Sequence, residues 1–179
     1  MNDRERALRI LERIEERATP ADRAIDQVSG HSDRDFVRTL VYGVLRWRDR
    51  LDHAIGIIAQ RRVEKIDPRA LAVLRLGAYQ IWFMAVPSYA AVSESVEIAG
   101  RIAPRARGFV NAILRRASRS TIDEFDPKDD SDESVAIRTS HPRWLISRWS
   151  RSLGHDRAIA IAHANQDLSY PDLLVNTRR

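Results

Sequence analysis

Along the first 120 residues, apolar side chains recur at helical rather than alternating spacing. Ala7, Leu11, Ile14 and Ala18 fall on one face of a first helix. Thr19-Pro20 reads as a cap followed by proline at the first helical position, opening a short helix to about Val28. Ser32 or Asp33 can cap a longer helix through Phe36, Val37, Leu40, Val41, Val44 and Leu45. Another follows through Leu51, Ala54, Ile55 and Ile58. Asp67-Pro68 repeats the cap-and-proline start.

The next segment, LAVLRLGAYQIWFM from Leu71 to Met84, is apolar around nearly its whole circumference, with Arg75 and Gln80 as its clear polar members. A helix hydrophobic on all sides belongs at the centre of a bundle, and this one is too short to span a bilayer. Val86-Pro87-Ser88 breaks the chain and caps a helix to about Ala103. Pro104 ends that helix, and a last one is predicted from about Arg105 to Arg119. The expected fold is an all-α bundle of six or seven helices around the apolar one.

Residues 121–134, TIDEFDPKDDSDES, hold seven acids against one lysine and few apolar positions, so they read as a solvated acidic linker or an electrostatic cover over a basic face. In 135–179 a helical connector follows. Ser140-His141-Pro142 starts a helix with Trp144, Leu145, Ile146 and Trp149, Gly154 stops it, and Asp156 can cap another to about Asn165. From about Leu173 the pattern turns to that of a strand, and one strand cannot form a sheet alone. Three units are therefore expected: a helical domain at 1–120, the linker at 121–134, and a connector at 135–179 leading into an incomplete second domain.

Composition narrows the function. No apolar run suits a membrane span, the charged N-terminus lacks a signal-peptide core, and there is no cysteine, which points to the cytoplasm. Formal net charge is +5, and 28 of the 30 basic residues are arginine. Arginine suits phosphate through its planar fork, although codon bias in a GC-rich genome would raise it equally. Position is more telling than number. Residues 1–120 carry 22 basic and 15 acidic side chains, and between Arg101 and Arg119 there are six arginines and no acid. In the last predicted helix Phe109, Val110, Ile113, Leu114 and Ala117 gather on one side, with Arg105, Arg115, Arg116 and Arg119 opposite. Such uncompensated charge is the footprint of a phosphate-binding face, so Arg105, Arg107, Arg115, Arg116 and Arg119 are candidate RNA contacts. Arg6, Arg9, Arg13 and Arg17 form a stripe on the first helix, but Glu5, Glu12 and Glu16 lie beside it at ion-pair spacing. Arg34, Arg38, Arg46, Arg48 and Arg50 add a second cluster diluted by Asp33, Asp35, Asp49 and Asp52; Tyr42 and Trp47 there suit either the core or base stacking.

Catalytic patterns do not emerge. The five histidines lack metal-ligand spacing, the seven glycines form no phosphate loop, and His141, Glu94, Glu97 and Asn111 read as structural. No catalytic, cofactor or metal residue is nominated.

Three stretches, RDFVRTLVYGVLRWRDRLDHAI (34–55), LAVLRLGAYQIWFMAVPSYAAVSESVEIA (71–99) and GFVNAILRR (108–116), resemble the NusB fold. That resemblance implies an RNA-binding helical domain. It occurs in a free-standing antitermination factor, which also binds a ribosomal protein, and at the front of Sun/Fmu (RsmB-type) 16S rRNA cytosine-5 methyltransferases. Ser140-His141-Pro142, Trp144-Leu145, Ala164-Asn165, Pro171 and Leu174-Val175-Asn176-Thr177 resemble the segment that links the second kind to its catalytic half; Asn165-Gln166-Asp167 departs from it where a second Asn is common. The resemblance implies S-adenosylmethionine and two cysteines in that half. This chain has no cysteine and is expected to be inactive alone.

Overall fold

A computed structural model describes residues 2–27 and 34–167, and its described residues form ten α-helices with short 3-10 turns and no strand. The strand expected from Leu173, the caps at Ser32 or Asp33 and the end of the second helix at Val28 lie outside the described residues.

α1 (Asp3–Arg17) starts in a capping box: Glu5 N–H donates to Asn2 Oδ1 (2.9 Å), and Asn2 N–H donates to the Glu5 carboxylate (3.0 Å). It buries Ala7, Leu8, Ile10 and Leu11. Ala18, expected on the apolar face, is instead the left-handed C-cap. α2 (Ala21–Gln27) begins just after Pro20, and α3 (Arg34–Arg46) and α4 (Arg48–Ala59) follow with their expected faces inward. α5 (Pro68–Phe83) is the central helix. Asp67 caps it by accepting from Ala70 N–H (3.0 Å), and every residue from Val73 to Gln80 is buried.

The two polar exceptions on α5 are both satisfied, as burial demands. Arg75 grips the Asp52 carboxylate of α4 through two 2.7 Å bonds and reaches Glu15 of α1 at 3.0 Å. Gln80 donates to Leu76 O (3.0 Å) and accepts from Arg4 Nε (2.6 Å).

α6 (Ser88–Ile102) and α7 (Arg107–Ala117) pack against α5 and each other. Ser88 proves to be the first helical residue rather than the cap, with Pro87 in the N-cap position. A 3-10 turn, Pro104–Ala106, takes up the chain that was expected to begin α7. Gly77 permits the close approach: a Cβ there would stand 2.7 Å from Leu114 and 2.8 Å from the Ser95 hydroxyl. Trp82 Nε1–H donates to the Ala117 and Ser120 carbonyls, pinning the end of α7 to α5.

The acidic stretch packs on the bundle at its first turn. Ile122 is buried within a 3-10 turn, Ile122–Phe125, and Phe125 lies 5.9 Å from Trp82, ring to ring. Arg50 on α4 donates to Asp126 (2.8 Å) and pairs with Asp123. Most acids of 121–134 are exposed, while Asp126 and Asp123 meet Arg50, whose side chain is 12% exposed.

α8 (Asp132–Thr139), α9 (Arg143–Leu153) and α10 (His155–Ala164) surround a second, small core of Val135, Ala136, Ile146 and Ala162, with α8 against α4. Gly154 both ends α9 and starts α10, so Asp156 is in the first turn rather than the cap. No helix among the described residues is long and apolar enough to cross a membrane.

Carboxylates hold this unit's corners. Bonds from Ser131, through hydroxyl and backbone N–H, and from the Ser134 hydroxyl bring the Asp129 carboxyl from 3.8 down to about 2. Ser147 and Ser150 hydroxyls lower Asp132 likewise. Depressed carboxyls stabilise the fold above their unfolded value and lose that contribution as pH falls through the folded one. Trp149, packed on this core, should therefore report loosening between pH 3.8 and about 2. Loss of its native fluorescence already above pH 5, with the main bundle intact, would contradict this assignment.

Candidate nucleic-acid interface

α7 turns its apolar face to α5 and leaves a basic face outward, because Val110, Ile113, Leu114 and Ala117 are buried while Arg115, Arg116 and Arg119 are exposed. Between α6 and α7 runs a groove of about 630 Å³. Arg107, Asn111, Arg115 and Arg119 line its α7 side, and Tyr89, Ser93 and Glu97 its α6 side. Arg107, Arg115 and Arg119 are exposed and have no ion-pair partner among the described residues. At 1.5 Å per residue they extend over roughly 18 Å, enough to follow several phosphates.

The groove's one acid is already matched. Arg101 joins Glu97 (2.8 Å) and Glu5 of α1 (2.9 Å), so the positive charge opposite is not cancelled locally. Tyr89 is 80% exposed at the α6 end, an aromatic face without a packing role. Asn111 has no side-chain hydrogen bond among the described residues, although its sequence position reads as structural.

The arginines singled out in the sequence do not form one surface. Arg107, Arg115 and Arg119 share the groove, while Arg116 is exposed beyond it. Arg105 edges a separate depression of about 540 Å³ with Asp67 and Pro104. Arg38 and Arg46 line another groove on α3. Several of the rest are held by the protein itself. Arg6 is only 15% exposed and pairs with Asp3 (3.4 Å), Arg13 donates to Gln27 (3.2 Å), and Arg34 faces Asp26 at 3.9 Å. Arg48 pairs with Glu15 at 3.3 Å, and Arg9 remains exposed. In the α1 stripe only Arg6 makes an ion pair, and the expected pairs with Glu5, Glu12 and Glu16 do not form among the described residues.

Two features escaped the sequence reading. Tyr89 follows Pro87-Ser88 directly, and periodicity alone does not show that it faces outward. Trp144 is 64% exposed on α9, with exposed Arg148 and Arg151 one and two turns further on. Histidines serve local structure: His141 Nδ1 meets Thr139 O (2.7 Å), and His155 lies 3.5 Å from Asp132. The described residues hold no group of three His, Asp or Glu side chains suited to a metal ion.

Comparison with known proteins agrees with this architecture. The crystal structure of PH0851 superposes with a TM-score of 0.69 at 17% identity, over 94% of this chain and 40% of that one, a likeness of fold. Ribosomal RNA small subunit methyltransferase B of Pseudomonas putida is 31% identical over 153 residues, covering 82% of this chain. The protein of that name from Thermus thermophilus is 36% identical over 122 residues, covering 68%. The chain spans 33% of the Pseudomonas protein and 27% of the Thermus protein. The NusB family model matches residues 1–119, the bundle that carries the basic groove, and the chain belongs to the NusB family.

Proposed function

We propose that this chain is the RNA-docking portion of a 16S rRNA cytosine-5 methyltransferase working in the cytoplasm, and that it grips rRNA through the α6–α7 groove. The observation that carries the reading is the row Arg107, Arg115, Arg119, exposed and without acidic partners beside an exposed tyrosine. Phosphate contacts of this kind position a protein on RNA without reading sequence. Methyl transfer from S-adenosylmethionine belongs to residues other than these helices, none of which offers a glycine-rich cofactor loop among the described residues. The relatives named ribosomal RNA methyltransferases support this assignment over a free-standing antitermination factor with a ribosomal-protein partner.

Titration with an rRNA hairpin tests it. Replacing Arg107, Arg115 and Arg119 together by alanine should weaken binding at least tenfold for every RNA sequence tried, with helical content unchanged. Binding that is undiminished in the triple variant would remove the groove from the account.

A further inference from the structure

A second groove, of about 1020 Å³, lies along α3 and the C-terminal half of α5, away from the α6–α7 face. Its wall is aromatic. Trp47 and Phe83 stack with centroids 4.8 Å apart, and Tyr79 stacks on Phe83 at 5.5 Å. Gly43 fixes this column against α3, since a Cβ there would stand 1.9 Å from the Tyr79 ring. Arg50 lies over the Trp47 ring at 5.5 Å and helps to hold the column in place.

Two kinds of group here make no hydrogen bond or ion pair among the described residues. Tyr79 is 8% exposed, yet its hydroxyl makes no hydrogen bond among the described residues. Burial pushes that hydroxyl above its ordinary value, so it remains an O–H at neutral pH. The hydroxyl is not enclosed: it opens onto the groove, where a polar group of a ligand can reach it. On the rim, Arg38 and Arg46 stand two turns apart on α3, both exposed, against the single acid Asp35. Arg38 leans over the Tyr42 ring at 6.0 Å, and Arg46 has no partner among the described residues.

We propose that this groove receives an unpaired nucleotide of an RNA strand, its base against the Trp47–Phe83–Tyr79 wall and its flanking phosphates on Arg38 and Arg46. The proposal rests on the reading that the chain binds RNA, but on residues separate from α6 and α7. Aromatic walls that take splayed-out bases are the usual means of recognising unpaired RNA. The Tyr79 hydroxyl meets the polar edge of the base, and the two arginines, roughly 12 Å apart along the helix, match the charge on either side of it. An apolar peptide would leave both the hydroxyl and the rim cations without partners.

The test uses the full chain and a single-stranded oligonucleotide carrying one 4-thiouridine, crosslinked by light and mapped by mass spectrometry. Crosslinks should appear on Tyr42, Trp47, Tyr79 or Phe83. Tyr79→Phe keeps the ring and its packing, and should weaken binding of the unpaired oligonucleotide about 2- to 10-fold, the effect of one lost hydrogen bond. It should leave binding of a blunt duplex unchanged. Crosslinks confined to α6 and α7, with Tyr79→Phe binding normally, would overturn the proposal, assign the groove to a protein partner and leave the RNA-docking function standing. Loss of all salt-dependent RNA binding in the unaltered chain would instead remove the function itself. Cytidine monophosphate that binds as tightly as the strand would overturn the strand as the source of the nucleotide.

Discussion

Replacing Arg75 by alanine is expected to lower the unfolding free energy by about 3–5 kcal/mol, as removal of one partner from a buried pair does. Its side chain is 9% exposed and that of Asp52 is 18% exposed, so the carboxylate left behind is poorly hydrated. Glu15, at 41%, can turn to water and adds little. The geometry explains why a charged residue is tolerated in the central helix: two 2.7 Å bonds match the guanidinium fork to one carboxylate. The double variant Arg75→Met, Asp52→Leu removes both charges and should recover most of the loss. Chemical denaturation measures both. A single alanine variant within 1 kcal/mol of the parent would show that Asp52 does not depend on Arg75.

Leu114→Ala should cost about 2–5 kcal/mol, the range for emptying a fully buried leucine site. Leu114 is 0% exposed and fills the contact that Gly77 opens between α5 and α7. For a chain of this size that corresponds to a melting temperature lower by roughly 5–15 °C. Below the new transition RNA affinity should hardly change, because Arg107, Arg115 and Arg119 are exposed and take no part in that buried contact. A variant that melts normally yet loses RNA would show that α7 is positioned by something other than its core contact.

The bundle was legible because its strongest signals are local. Asp67-Pro68 announces α5, and the largely apolar run to Met84 declares its burial. Arg75 and Gln80 could be recognised as exceptions, but their partners could not, since Asp52, Glu15 and Arg4 come from other helices. The packing of the acidic stretch was hidden for the same reason. Its composition is that of a solvated linker, and the Arg50 that anchors it lies 76 residues away from Asp126.

The interface divides along similar lines. The outward exposure of Arg115 and Arg116 on α7 was readable, because one short helix supplies both an apolar and a basic face. Sequence could not show that Arg48 is engaged by Glu15, nor that Tyr89 stands 80% exposed beside the groove. Charge counts alone overstate an interface when the acids that neutralise it are distant in sequence.

The most direct measurement is the salt dependence of RNA binding by the unaltered chain and by the Arg107, Arg115, Arg119 triple-alanine variant. If the groove neutralises phosphates, log K should fall steeply with log salt concentration, and the variant's slope should be shallower by about 2–3. A flat salt dependence for the unaltered chain, or equal slopes for the two proteins, would contradict RNA docking through this groove.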